Sequence, residues 1–120
     1  MMQQLPNARF SNIYGPAEVN QCMYYHVPPP AAGAPVPKDI APIGQVWENS
    51  EELVGDEQDQ PVAPGEMGEL LIRSATMMSG YWQQPALNAK AFFHTQIANQ
   101  AAVFYRTGDL VQQQPDGQYR

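Results

Sequence analysis

Asn12-Ile13-Tyr14-Gly15-Pro16-Ala17-Glu18 is the stretch on which the reading of the fold turns, together with Tyr105-Arg106-Thr107-Gly108-Asp109-Leu110 far downstream. Each sets glycine beside an acid and an aromatic or hydroxyl group. In the first, a rigid glycine-proline turn separates an aromatic ring from a carboxylate. Such a loop can lay Tyr14 against a planar base while Glu18 holds a cation beside phosphates. Magnesium takes hard oxygen ligands, and one carboxylate plus phosphate oxygens can suffice. In the second, glycine permits a tight turn or close ligand approach. The Asp109 carboxylate can accept hydrogen bonds from two vicinal hydroxyls, as on a ribose. Each also has a plainer reading: a strand-end turn with a solvated Glu18, and an ordinary turn in which Asp109 bonds its own backbone. Taken together they read as a nucleotide site split across two loops.

Working outward, Met1 to Leu5 reads as the last turn of a helix stopped by Pro6-Asn7. Ala8 to Tyr14 suits a buried strand running into a loop, and Val19 to Val27 is strand-like. Pro28 to Pro42 is the poorest region for regular structure, because each proline removes a backbone donor and restricts its predecessor. It reads as a surface excursion or an internal linker. Ile43 to Trp47 and Glu52 to Gly55 are short strand candidates, with Asp56 to Gln60 and Pro64-Gly65 as turns. Glu69 to Ser74 alternates as a strand. Pro85 opens a helix expected to run through Phe93. Phe104 to Arg106 and Leu110 to Gln112 are strands around a tight Thr107-Gly108-Asp109 loop, and Asp116-Gly117 signals a hairpin with no second arm. The expected class is mixed α/β, mostly β. The helix stub and the unfinished hairpin imply cuts inside a larger fold.

Composition narrows the function. The chain has 120 residues, 43% of them apolar, which is enough for one modest core. Its formal charge is −6, and its six Lys and Arg residues stand singly. No basic patch exists for a phosphate backbone, so nucleic acid is not an expected partner. Cys22 is the one cysteine and has no disulfide mate; with His26 and His94 it supplies no zinc framework. Apolar runs are far shorter than a membrane span and no leader opens the chain, so a soluble, reducing, cytoplasmic setting is expected. Tyr81, Trp82, Phe92 and Phe93 read as packing residues. The two histidines read as surface or structural. The acidic stretch from Glu48 to Asp59 reads as a solvated face.

In order, these segments resemble the core motifs of the adenylate-forming enzymes, most closely the amino-acid adenylation domains of nonribosomal peptide synthetases. NIYGPAE resembles the family's Asn-x-Tyr-Gly-Pro-Thr-Glu. Gly65 to Tyr81 resembles the motif with Gly-Glu-Leu followed by Gly-Tyr. Gln84-Pro85 with Ala89 to Phe92 fits its usual ending, Ile43-Gly44 resembles an intervening Ile-Gly-x-Pro, and YRTGDL matches unchanged. The resemblance implies ATP and Mg²⁺ as cofactors. Tyr14 would lie against the adenine, Glu18 would help place magnesium and Asp109 would hold the ribose hydroxyls, with Gly15 and Thr107 in the same cofactor-binding set. Ile13, Gln21 and Cys22 match positions that line the amino-acid pocket. No catalytic residue is carried over. Ala17 replaces a threonine whose hydroxyl lies near the phosphates, a loss of about 0.5–1.5 kcal/mol for one neutral hydrogen bond. Ser74 and Ser79 also depart from the pattern.

The resemblance further implies an internal fragment of the large N-terminal subdomain. Residues 1–27 would end an α/β layer and carry the adenine and magnesium loop. Residues 28–120 would form most of a distorted β-barrel with one helix near 85–93, incomplete at the C-terminus. The phosphate loop, the amino-group carboxylate and the C-terminal lysine would lie outside the chain, leaving it inactive alone. Its partners would be the remainder of the adenylation domain, an amino-acid substrate and a carrier protein with a phosphopantetheine thiol. Cys22 to Pro28 resembles the corresponding segment of enzymes that load proline. The alternatives are a fragment of an acyl-CoA synthetase and a noncatalytic β-rich interaction module.

Overall fold

The computed structural model describes residues 2–33 and 38–120, so Met1 and residues 34–37 of the proline-rich excursion lie outside the description. A short 3-10 turn at Met2–Gln4 leads to β1 (Phe10–Tyr14), which pairs antiparallel with β2 (Met23–Val27). Tyr14 faces Met23 in that register and Phe10 faces Val27. The edge of this sheet is β3 (Gln45–Val46), paired with the start of β2. The second sheet holds β4 (Ser50–Gly55), β5 (Met67–Ser74), β7 (Gln100–Gln112) and β6 (Phe92–Ile97), in the order β4-β5-β7-β6. All its pairings are antiparallel. The one α-helix, α1 (Pro85–Ala91), precedes β6.

β5 explains the layering. Side chains alternate across a strand, so Leu70 and Ile72 enter one cluster with Val19, Cys22, Met23 and Tyr105, while Leu71 enters another with Ala102 and Phe104. The first cluster joins the β1–β2 loop to the second sheet. Fully burying each of these aliphatic side chains stabilises the fold by about 1.5–3 kcal/mol. Tyr119 closes the frame: its backbone exchanges hydrogen bonds with Gly44 and also bridges Gln113.

The mostly β class therefore holds, with several local corrections. β1 is half-buried in alternation, not buried, and β2 begins only at Met23 because Val19 to Cys22 is taken up by a turn on Pro16. The helix ends at Ala91, not Phe93. Phe92 takes extended angles and pairs with Tyr105, and Phe93 pairs with Phe104, so packing overrides helix continuation. Thr107 to Asp109 is not a turn between two strands; β7 runs through it with a bulge. The Asp116-Gly117 hairpin does have a return arm, since Gln112 and Arg120 exchange backbone hydrogen bonds. The acidic stretch is not only solvated, since Glu52 accepts from the Tyr119 phenol and Asp59 pairs with Arg106. Trp82 is 86% exposed and packs into neither core cluster. Among the described residues no helix is long and apolar enough to cross a membrane.

Candidate functional site

Tyr14 ends β1, and the loop after it is tightly folded. Cys22 N–H returns to the Tyr14 carbonyl, and the Val19 and Asn20 N–H groups bond the Pro16 carbonyl. Gly15 is required by that closure: a Cβ there would sit 1.9 Å from the Asn20 carbonyl oxygen. A second segment clamps the loop from outside. Thr76 Oγ1 donates to the Val19 carbonyl at 2.5 Å, and Met78 N–H donates to the Glu18 carbonyl at 2.8 Å.

The bulge in β7 is built by polar contacts. The pairing steps from Glu69–Leu110 to Leu71–Arg106, leaving Thr107, Gly108 and Asp109 opposite Leu70. Thr107 Oγ1 donates to the Leu70 carbonyl at 2.7 Å and accepts from Asp109 N–H at 3.1 Å. Gly108 takes φ of +75°, a conformation open to glycine at little cost. Its N–H donates to Glu69 Oε1, while Glu69 Oε2 receives Arg106. Arg106 also bonds Asp59 and lies 5.4 Å from the centre of the Phe93 ring. Bulges re-aim side chains, and this one sends Asp109 to β1: the Tyr14 phenol donates to Asp109 Oδ2 at 2.5 Å. The two motifs therefore meet, across two sheets.

Glu18 has its own phenol partner, since Tyr81 Oη donates to Glu18 Oε1 at 2.6 Å. That bond holds the Glu18 carboxyl below its ordinary range, so it stays anionic. The reciprocal effect raises the Tyr81 phenol, chiefly through its bond to Glu18. Burial, then the bond to Asp109, raises Tyr14. Tyr105 is buried beneath, and its phenol is raised first by burial and further by the charges of both Glu18 and Asp109. One ring thus senses both carboxylates. Glu18 thus faces a phenol that remains a protonated donor, and the Tyr14 phenol likewise stays protonated as it donates to Asp109.

No group of three or more His, Cys, Asp or Glu among the described residues could hold a metal by itself. Magnesium does not need one, because it is held through one or two carboxylates with waters and substrate phosphates. A single anionic Glu18 with a hard oxygen donor set fits that role.

The expected substrate wall is divided. Ile13 is 42% exposed and faces Tyr24 across the strand pair. Gln21 is exposed and lines a surface concavity of about 550 Å³ with Tyr24, Trp47, Glu48 and Asn49. Cys22 has no accessible surface; its thiol points to the Tyr14 carbonyl, and burial pushes it up to about 11. It lies behind the surface rather than on it. Tyr81, Tyr105 and Glu69 were missed as site residues. The Gly-Tyr and Gly-Glu-Leu patterns mark their positions, but nothing in their spacing says that Tyr81 reaches Glu18 or that Glu69 braces Gly108.

Residues 1–82 match the family described as AMP-binding enzyme. The chain is 35% identical over 108 residues to Tyrocidine synthase 2 of Brevibacillus parabrevis, covering 90% of this chain and 3% of that protein. It is 34% identical over 116 residues to L-proline--[L-prolyl-carrier protein] ligase of Pseudomonas fluorescens, covering 94% of this chain and 19% of that protein. Among solved structures, the N-terminal subdomain of Klebsiella oxytoca NpsA in complex with 3-hydroxybenzoyl-AMSN superposes with a TM-score of 0.77 at 30% identity. That match covers 93% of this chain and 28% of the other. PA1221, an NRPS protein containing adenylation and PCP domains, gives a TM-score of 0.83 at 26% identity, over 99% of this chain and 24% of the other. The chain thus corresponds to only a minor part of the proteins it matches, and its fold is that of part of an adenylate-forming N-terminal subdomain.

Proposed function

Because the chain belongs to the AMP-binding enzyme family, we propose that it carries base, ribose and cation contacts of an ATP-dependent enzyme that adenylates an amino acid. The observation that carries this reading is the Tyr14–Asp109 hydrogen bond, which joins the two glycine motifs at one surface. Tyr14 receives the adenine with its ring against the base, and Gly15 closes the loop that presents it. Asp109 accepts the ribose hydroxyls, on the bulge that Thr107 shapes. Glu18 holds Mg²⁺, which when bound offsets phosphate charge.

In the whole protein, a carboxylate oxygen of the amino acid attacks the α-phosphorus of ATP. The bond to pyrophosphate breaks, and an aminoacyl-adenylate remains. A carrier-protein phosphopantetheine thiol then attacks the acyl carbon, forming a thioester and releasing AMP. The groups of this chain act by positioning the nucleotide. Ile13 and Gln21 contribute a small, mostly apolar substrate wall, with Cys22 behind it. Such a wall suits a small or apolar amino acid. Similarity to a prolyl-carrier protein ligase supports proline as the first substrate to try. A cytoplasmic location goes with this reading, since ATP and loaded carrier proteins are found there.

The test is pyrophosphate exchange into ATP by the complete protein, across a panel of amino acids including proline. Exchange with an amino acid supports the proposal. Exchange only with fatty or aryl acids, with transfer to coenzyme A, moves the protein to the acyl-CoA branch. Absence of both exchange and nucleotide binding leaves a noncatalytic module.

A further inference from the structure

We propose that Tyr81 is a positioning residue for Glu18: its phenol fixes the carboxylate that the nucleotide site offers to a divalent cation. This rests on the nucleotide reading above and adds a residue to it. Tyr81 Oη donates to Glu18 Oε1 at 2.6 Å, from a segment far from the Tyr14–Glu18 loop in sequence.

Tyr81 is itself held without using its hydroxyl. Asn88, on α1, accepts from Tyr81 N–H at 2.7 Å and donates to the Tyr81 carbonyl at 3.0 Å. This two-point grip fixes the Tyr81 backbone. Gly80 leaves room for it, because a Cβ at that position would come within 3.2 Å of the Asn88 amide. The Glu18 backbone is likewise anchored independently by Met78 N–H. Main chains on both sides are therefore set before the phenol and carboxylate meet. Beyond its contact with the neighbouring Tyr105 phenol, the hydroxyl sets where the carboxylate points.

The bond is compatible with cation binding. An ionised carboxylate has about four lone-pair sites over two oxygens. A donor on Oε1 leaves acceptor capacity for a hard cation. Partners that orient a ligating group are a recognised part of metal sites, and removing one typically weakens metal affinity by about 10–100-fold. α1, seven residues long with no buried side chain, thereby acquires a role: it carries Asn88, and Asn88 sets Tyr81.

The experiment uses the complete protein, with Tyr81→Phe, Glu18→Gln and the double variant. Mn²⁺ binding in the presence of ATP is followed by electron paramagnetic resonance, and pyrophosphate exchange is measured against free Mg²⁺ at fixed ATP. Tyr81→Phe is expected to weaken Mn²⁺ binding and raise the half-saturating Mg²⁺ concentration about 10-fold. ATP KM at saturating Mg²⁺ and the thermal midpoint should stay near wild type. In the Glu18→Gln background the same change should have no further effect. Unchanged cation dependence in Tyr81→Phe overturns the proposal, as does an equal effect with and without Glu18. If Tyr81→Phe lowers the thermal midpoint, Asn88→Asp decides: it keeps the Tyr81 N–H bond, and only a positioning role predicts a matching cation defect in a folded protein. Failure of wild-type protein to bind ATP with Mn²⁺ would instead sink the nucleotide reading, and this proposal with it.

Discussion

Replacing Asp109 with alanine in the complete protein should weaken ATP binding about tenfold. Asp109 is exposed, and its one side-chain partner among the described residues is the Tyr14 phenol. The bulge that presents it is held by Thr107, Glu69 and Leu70 through backbone and neighbouring side chains, so truncation leaves the bulge standing. Hydrogen bonds from ribose hydroxyls to a charged acceptor contribute about 1.5–3 kcal/mol. Solvent screening at an exposed carboxylate puts the value at the lower end. About 1.4 kcal/mol is tenfold in affinity. The assay is ATP titration by calorimetry at saturating Mg²⁺, with ATP KM in pyrophosphate exchange as a second readout. Tyr14→Phe is the control, since it keeps the ring and removes only the donor to Asp109. Tyr14 is half-buried and its phenol belongs to the site, so Tyr14→Phe should lower ATP affinity, but by less than Asp109→Ala does. If Asp109→Ala and Tyr14→Phe weaken binding equally, Asp109 merely anchors the phenol; if Asp109→Ala is neutral, the ribose assignment is wrong.

Gly15→Ala should lower ATP affinity while the fold persists, because the new Cβ meets Asn20 main-chain atoms that cannot swing aside; the strain is about 1–3 kcal/mol, and unchanged affinity would contradict the tight loop. Phe104→Ala should destabilise the protein by about 3–5 kcal/mol, since Phe104 is fully buried; a urea midpoint near wild type would displace it from the core. Cys22 should resist alkylation at pH 8 in the native state and react on denaturation, because burial raises its thiol to about 11 from an ordinary value near 9. Between those values the folded state binds more protons than the unfolded one, so this thiol makes stability fall as pH rises from 9 to 11 and adds no pH dependence below; a Cys22→Ala variant with the same alkaline slope would refute that assignment.

The legibility of the chain varied with the range of the interactions involved. Glu69 to Ser74 could be read as a strand because alternating side chains serve both of its faces, and β5 does so with Leu70, Leu71 and Ile72. Pro85 marked a helix start for a local reason, its preset φ. The helix end is not legible locally, because Ala91-Phe92-Phe93 continues a helical pattern, and only the ladder to Tyr105 and Phe104 makes Phe92 extended. Thr107-Gly108-Asp109 has turn composition. It becomes a bulge because Glu69 and Leu70 supply partners for its backbone and hydroxyl.

By itself the sequence determined the mostly β class, the scatter of its six basic residues and the two glycine motifs with their chemical potential, because composition, side-chain alternation and local φ preferences are properties of neighbouring residues. Only the tertiary structure decided that Tyr14 meets Asp109, that Tyr81 meets Glu18, that Cys22 is buried and that Trp82 is bare. Those outcomes depend on which face of a strand packs against a distant element. Burial and long-range pairing decide that together, and no short window of sequence contains both partners.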